Sequence, residues 1–275
     1  MKVVLFCGGA GMRIREFSDV IPKPMVNVGS RPMLWNVMKF YAHFGHRDFI
    51  LCLGYKAEVI KEYFLAYNEA LSNDFVITNG GRTVQVLNKD IEDWSITFAD
   101  TGLKSNIGQR LCAVRKYLEG EEVFLANYTD GLTDLPLDKV VDHFAKKGKI
   151  AGFVSVRPSQ SFDIVLTKDG DHVEGLQHIT RSGIWVNGGY FALKKEIFDY
   201  IEEGEELVYA PFNRLIQRGE LVHYRHDGFF ISMDTFKEKQ VIDDMCARGE
   251  TPWEVWKTSS NHSLAPSHAN PKPGR

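Results

Sequence analysis

The chain has 275 residues, long enough to bury a sizeable core as one large α/β domain, or one domain with a small appendage. Its 33 basic against 36 acidic residues show no polyelectrolyte bias, so composition gives no support to a nucleic-acid or membrane-surface partner. No apolar run approaches the ~20 residues of a membrane span; the four cysteines, Cys7, Cys52, Cys112 and Cys246, are widely spaced without a C-x-x-C pair, so the expectation is the reducing cytoplasm and no structural zinc.

Lys2-Val3-Val4-Leu5-Phe6-Cys7 is short, rich in β-branched residues and stops at glycine, which predicts a buried parallel strand. Gly8-Gly9-Ala10-Gly11-Met12-Arg13 follows and, after a gap, Pro22-Lys23-Pro24-Met25. Glycines directly after a strand let backbone N–H groups approach a phosphate that a Cβ would keep away. Arg13 and Lys23 add positive charge, and the prolines flanking Lys23 hold its backbone extended, so the set describes a triphosphate cradle. The spacing spells neither a Walker loop, which needs Lys and Ser/Thr after its last glycine, nor G-x-G-x-x-G.

Residues 32–42 carry apolar positions at helical spacing, and 49–53 form a second buried strand ending at Gly54-Tyr55-Lys56 before a helix over 57–67. This alternation predicts an α/β fold, Rossmann-like, with a mostly parallel sheet, helices on both faces and ligands at the carboxyl ends of the strands. Three strand-like runs follow within 75–98. Asp100-Thr101-Gly102 and a polar stretch, Ser105 to Arg110, then lead into a helix over 111–118. A core strand over 122–127 delivers Asp130-Gly131 to the same edge, a carboxylate placed to hold Mg²⁺ beside a triphosphate. A helix over 137–147, a strand over 150–156 and a hairpin over 162–178 turning at Asp169-Gly170-Asp171 make the acceptor half, with a strand over 185–191 behind it. The apolar run 229–233 ends in Asp234, a second carboxylate, before a helix over 236–248. One domain is expected over 1–256; residues 257–275, rich in Ser, Pro, Asn and His, are expected as a disordered tail whose His262 and His268 are solvated.

The opening strand, G-G-x-G-x-R and P-K-P-M resemble the sugar-1-phosphate nucleotidylyltransferases, and the fuller pattern is similar to the glucose-1-phosphate cytidylyltransferase branch, over residues 1–256. The resemblance implies a nucleotide-diphospho-sugar transferase fold and transfer of a nucleoside monophosphate, CMP from CTP, to a phosphorylated small acceptor. Pyrophosphate leaves, and Mg²⁺ is the cofactor. By position it makes Arg13 and Lys23 the catalytic pair and Asp130 and Asp234 the metal ligands. Gly8, Gly9, Ala10, Gly11, Gly54, Ser105, Gly108 and Arg110 are then expected around the nucleotide, and Asn187 and Gly188, from N-G-G, at the acceptor.

Two positions depart from the pattern. Where the branch carries E-K-P with a phosphate-gripping lysine, this chain has Gln177-His178-Ile179, so His178, helped by Arg181, is expected to meet the acceptor's charge. Thr129 replaces the glycine before the first aspartate. Glucose 1-phosphate is therefore expected to be a poor acceptor, with another sugar or polyol phosphate, a phosphonate or a phosphorylated amino-acid derivative in its place. A nucleotide-binding regulatory protein without turnover is the rival reading; a homo-oligomer fits either, and a dinucleotide oxidoreductase leaves Pro22-Lys23-Pro24 without a role.

Overall fold

The computed structural model of the chain describes residues 1–9, 21–159 and 162–260. In chain order these form β1 (Val3–Phe6), a 3-10 turn at Lys23–Met25, the short pair β2 (Asn27–Val28) and β3 (Arg31–Pro32), α1 (Met33–His43), β4 (Asp48–Leu53), α2 (Ala57–Leu65), α3 (Glu69–Ser72), β5 (Phe75–Thr78), β6 (Thr83–Val86) and β7 (Ser95–Asp100). Then come α4 (Ile107–Val114), β8 (Val123–Tyr128), β9 (Gly131–Thr133), α5 (Leu137–Lys147), β10 (Ala151–Val156), β11 (Asp163–Lys168), β12 (His172–His178), β13 (Val186–Asn187) and β14 (Phe191–Lys194). The last are α6 (Ala210–Gln217), β15 (Leu221–His226), β16 (Phe230–Ser232), α7 (Phe236–Arg248) and α8 (Val255–Ser260), whose helix overlaps the first residues of the expected tail.

One sheet carries the fold, in the order β13-β10-β14-β8-β1-β4-β7, with β15 also paired to β10. Strands β8, β1, β4 and β7 run parallel, while β14 is antiparallel to both its neighbours, β8 and β10. Val3, Val4 and Leu5 of β1 are fully buried, as a central parallel strand covered on both faces requires. Side chains at alternate positions feed two cores. Val3 and Leu5 join α1, α5 and α7 on one face, and Val4 and Phe6 join α4 and α6 on the other.

Two elements differ from the sequence expectation, and the structure supplies the pairing of three strand-like runs. The helix expected over 111–118 begins at Ile107, because Asn106 Oδ1 accepts the Gln109 N–H (2.9 Å) and Gln109 Oε1 accepts the Asn106 N–H (3.0 Å), a reciprocal cap. It ends at Val114 and passes into a 3-10 turn over Arg115–Leu118. Of the three strand-like runs in 75–98, only β7 enters the sheet; β5 and β6 pair with each other across the turn Asn79–Gly81. The single strand expected over 185–191 is split, β13 pairing with β10 and β14 with β8, and between them Gly189 and Tyr190 take positive φ of 79° and 49°. Asn127 Oδ1 holds that break by accepting the Tyr190 N–H at 2.9 Å. Among the described residues no helix is long and apolar enough to cross a membrane.

His46, half-buried between α1 and β4, has its pKa pushed down to about 4 by desolvation and, secondarily, by the Met1 ammonium. A histidine depressed in the folded state binds its proton in the unfolded chain first. Its contribution to stability is therefore complete above the unfolded value of about 6.5 and is lost as pH falls towards 4. Chemical denaturation of wild type and His46→Gln at pH 7 and pH 4 should show the variant losing about 1–2 kcal/mol less over that interval, allowing for solvent screening of a half-buried ring.

Candidate active site

The carboxyl ends of β1, β4, β7 and β8 converge, as the parallel alternation requires. Cys7 N–H donates to Cys52 O (3.0 Å) and Thr101 N–H to Leu53 O (3.0 Å), so the loops leaving the strands start in register. Thr129, 5% exposed, donates its hydroxyl to Phe6 O at 3.0 Å and joins the exits of β8 and β1.

Beyond β8 the chain turns at Asp130 into β9, and β9 pairs antiparallel with β16, Gly131 opposite Ser232. Met233 N–H donates to Asp130 O at 2.8 Å. That pairing sets Asp234, the second residue after β16, beside Asp130. Ser232 Oγ donates to Asp234 Oδ2 at 3.0 Å, and Glu238 accepts the N–H groups of Asp234 (3.0 Å) and Thr235 (2.6 Å) at the start of α7. Lys23, presented by the 3-10 turn that Pro22 and Pro24 preset, enters between the carboxylates. Its Nζ lies 2.7 Å from Asp130 Oδ2 and 3.0 Å from Asp234 Oδ1, with the lysine side chain 15% exposed and the aspartates 31% and 27%. Burial alone would lower the lysine's pKa; the charges of Asp130 and Asp234 outweigh it and leave it above the ordinary value.

A cavity of about 470 Å³ opens over these residues. Lys23, Asp130 and Asp234 line one part of it, Ser105, Asn106, Ile107, Arg110 and Glu206 another, with the rings of Phe6 and Tyr128 alongside. Those rings are tilted, with centroids 6.3 Å apart. Burial, then the carboxylates of Glu206 and Asp130, hold the Tyr128 phenol well above its ordinary pKa. Gly9 also lines the cavity.

Arg110 lines the cavity, as the expectation for the nucleotide has it, and its guanidinium is at the same time bound into the loops. Its side chain comes from beneath the loops, the residue is 2% exposed, and Nη1 donates to Leu53 O (3.1 Å) and Thr101 Oγ1 (2.7 Å) while Nη2 donates to Gly8 O (2.9 Å). This guanidinium ties the exits of β1, β4 and β7, and it explains two glycines. A Cβ on Gly8 would fall 2.1 Å from Arg110 Nη1, and one on Gly54 would meet Gly8 O at 2.8 Å and Arg110 Nη1 at 2.9 Å. Gly108 is bare for a similar reason, since its Cβ would lie 2.2 Å from Glu205 O. Ser105 donates its hydroxyl to Thr101 O at 2.5 Å.

The acceptor residues lie apart from this cavity's wall. Asn187, exposed on β13, accepts the Gly189 N–H on its own Oδ1 at 2.9 Å; Gly188 is buried and donates to Val154 O at 2.9 Å. His178 ends β12 of the exposed β11–β12 hairpin and contacts Thr180 Oγ1 through Nδ1 at 2.8 Å, while Arg181 is exposed in the next turn. Ala10, Gly11 and Arg13 lie outside the described residues. Glu206 and Asn106 were not marked by the sequence as cavity residues. The capping pattern N-x-x-Q could have found Asn106, and no local pattern distinguishes Glu206 from its neighbour Glu205.

If Arg110 acts through the loops rather than on a ligand, Arg110→Ala should unfold more easily in the absence of nucleotide. It leaves Thr101 Oγ1 and two loop carbonyls without a buried charged donor, and a loss of about 2–4 kcal/mol is expected from thermal or chemical denaturation. Unchanged stability with weakened nucleotide binding would return Arg110 to direct contact.

Residues 2–229 match the nucleotidyl transferase family. The probable glucose-1-phosphate cytidylyltransferase of Bacillus subtilis (strain 168) is 36% identical over 258 residues, covering 93% of this chain and 100% of that protein. The glucose-1-phosphate cytidylyltransferase of Salmonella typhimurium (strain LT2) is also 36% identical over 258 residues, covering 94% and 100%. Among solved structures, UDP-glucose pyrophosphorylase complexed with UDP-glucose has the same fold, with a TM-score of 0.66 at 14% identity over 90% of this chain and 98% of that one. A family match over most of the chain and full-length identity of this degree mean that the chain is a nucleotidyltransferase, a member of the nucleotidyl transferase family in the branch that holds the glucose-1-phosphate cytidylyltransferases.

Proposed function

We propose that the protein transfers CMP from CTP to a phosphate oxygen of a small phosphorylated acceptor, a sugar phosphate or related metabolite, and releases pyrophosphate, with Mg²⁺ as cofactor. The observation that carries this is the convergence of Asp130, Asp234 and Lys23 on one point at the carboxyl edge of the sheet. Two carboxylate oxygens that both reach one ammonium already form a cation site. A pair of carboxylates fits magnesium, an ion that takes one or two carboxylates and completes its shell with phosphate oxygens and water. Mg²⁺ held by Asp130 and Asp234 would neutralise charge on the triphosphate and on the leaving pyrophosphate.

The chain's own residues have a limited task, because an acceptor phosphate is already a nucleophile. Its oxygen attacks the α-phosphorus of CTP, the bond from that phosphorus to the β-phosphate bridge breaks, and pyrophosphate leaves; catalysis is alignment in line and stabilisation of charge. Lys23 and Arg13 are assigned to the phosphates and the leaving group by their motifs. Gly8, Gly9, Ala10 and Gly11 give the loop for the triphosphate, Gly54, Ser105, Gly108 and Arg110 shape the nucleotide side, and Asn187, Gly188, His178 and Arg181 face the acceptor. Soluble nucleotide pools place this reaction in the cytoplasm.

Pyrophosphate release with each of five nucleoside triphosphates, Mg²⁺ and a panel of phosphorylated acceptors tests the reading, and turnover with none of them would leave only a binding protein. Asp130→Asn and Asp234→Asn should each reduce kcat by about a hundredfold or more without loss of fold. Wild-type rates in either would remove the metal assignment. For the acceptor, glucose 1-phosphate should show a lower kcat/KM than the best compound of the panel, since an exposed His178 stands where the branch has a lysine. Efficient use of glucose 1-phosphate, unaffected by His178→Ala, would show that this departure has no consequence.

A further inference from the structure

Glu206, in the loop before α6, walls the same cavity as Lys23, Asp130 and Asp234. Its Oε2 accepts the N–H of Ile107, the first residue of α4, at 3.1 Å, which fixes the carboxylate beside the segment Ser105 to Arg110. Its Oε1 is buried and has no hydrogen-bond partner among the described residues. Leaving a buried carboxylate oxygen unmet is costly, and an ionised carboxylate can only accept. Several side-chain donors of the neighbouring segments are committed elsewhere, while the Tyr128 phenol shares the cavity and is acted on by the Glu206 carboxylate. Asn106 Nδ2 donates to Gly204 O (2.8 Å), Ser105 Oγ to Thr101 O (2.5 Å), and Arg214 is paired with Glu205 (2.6 Å) and Glu202 (3.1 Å). Capping Ile107 uses one oxygen and accounts for only half of the group.

A ligand entering the cavity can supply a donor for Oε1. The triphosphate does not supply it, since phosphates carry acceptor oxygens and negative charge; the Lys23 ammonium, paired with Asp130 and Asp234, is the cation available to meet them. The part of a nucleotide that carries hydrogen-bond donors is the nucleoside. Phe6 and Tyr128, alongside in the same cavity, offer rings on which a planar base can pack. A carboxylate at the edge of a base separates the pyrimidines sharply. Cytosine presents its exocyclic amino group, a donor, where uracil and thymine present a carbonyl, a second acceptor.

We propose that Glu206 is the base-selecting residue, accepting a hydrogen bond on Oε1 from the exocyclic amino group of cytosine and rejecting uracil and thymine by setting two acceptors against each other. This rests on the nucleotidyl-transfer reading of the cavity and goes beyond it by naming the group that sets base choice. Sites built around a required hydrogen bond discriminate by factors of about a hundred or more against an analogue that cannot make it.

The test is the ratio of CTP to UTP, by titration calorimetry with Mg²⁺ and by kcat/KM for pyrophosphate release, in wild type, Glu206→Gln and Glu206→Ala of the full chain. Glu206→Gln keeps a carbonyl for the Ile107 N–H and offers an amide donor to the uracil carbonyl, so it should retain the melting temperature and narrow the CTP preference at least tenfold, with UTP binding gained. Glu206→Ala should bring the two nucleotides within a few fold of each other, and dCTP should follow CTP in every variant. A CTP preference unchanged in both variants overturns the assignment. Equal losses for CTP and UTP, with dCTP unaffected, overturn it in favour of the ribose hydroxyl. Wild-type protein that binds no nucleoside triphosphate overturns instead the reading of the cavity on which the proposal stands.

Discussion

A single ammonium group between two carboxylates organises the functional edge of this protein. Lys23 reaches Asp130, 107 residues later, and Asp234, 211 residues later, so three separate excursions of the chain end at one point. No local preference could bring them there. The pairing of β9 with β16 sets the aspartates side by side, and the proline-flanked turn supplies the lysine. Two carboxylates so close would repel each other without a cation, and Lys23 meets that requirement.

Arg110 does for the loops what Lys23 does for the acids. Its three hydrogen bonds join the exits of β1, β4 and β7, and the bare glycines at 8 and 54 leave it room. A glycine-rich turn after a first strand is commonly read as making room for a phosphate. Here the volume that a Cβ at Gly8 would take is already filled by a guanidinium from below. This end of the cavity thus has a largely buried cation in its wall that also binds the loops.

The residues proposed for the acceptor are built on different terms. They belong to an exposed hairpin, β11–β12, and to the split strand β13–β14. The strand break at Gly188 to Tyr190 is held by Asn127, whose position in β8 links it to the strand that delivers Asp130. The two sets of residues are therefore joined through the sheet, although His178 and Arg181 stand on an outlying hairpin.

How much of this was legible beforehand follows from the range of the forces involved. Apolar runs that stop at glycine, helical spacing in between and the pattern G-G-x-G-x-R with P-K-P-M are local, and they sufficed for the mostly parallel α/β sheet and for the family that the comparisons show. Helix α4 was misplaced by four residues because its start depends on a side-chain cap at Asn106 rather than on periodicity. The run 185–191 reads as one strand because alternation cannot show that its two ends pair with different neighbours. What Arg110 and Glu206 touch lay beyond the sequence altogether. An arginine after a polar turn suits a phosphate or a buried carbonyl equally well, and adjacent glutamates are equivalent until packing buries an oxygen of one and pairs the other with Arg214. Residue types and short spacings determined the fold and the kind of chemistry; the partner of each polar group was decided only by tertiary packing, because a hydrogen bond depends on a few tenths of an ångström between chain segments that the sequence holds far apart.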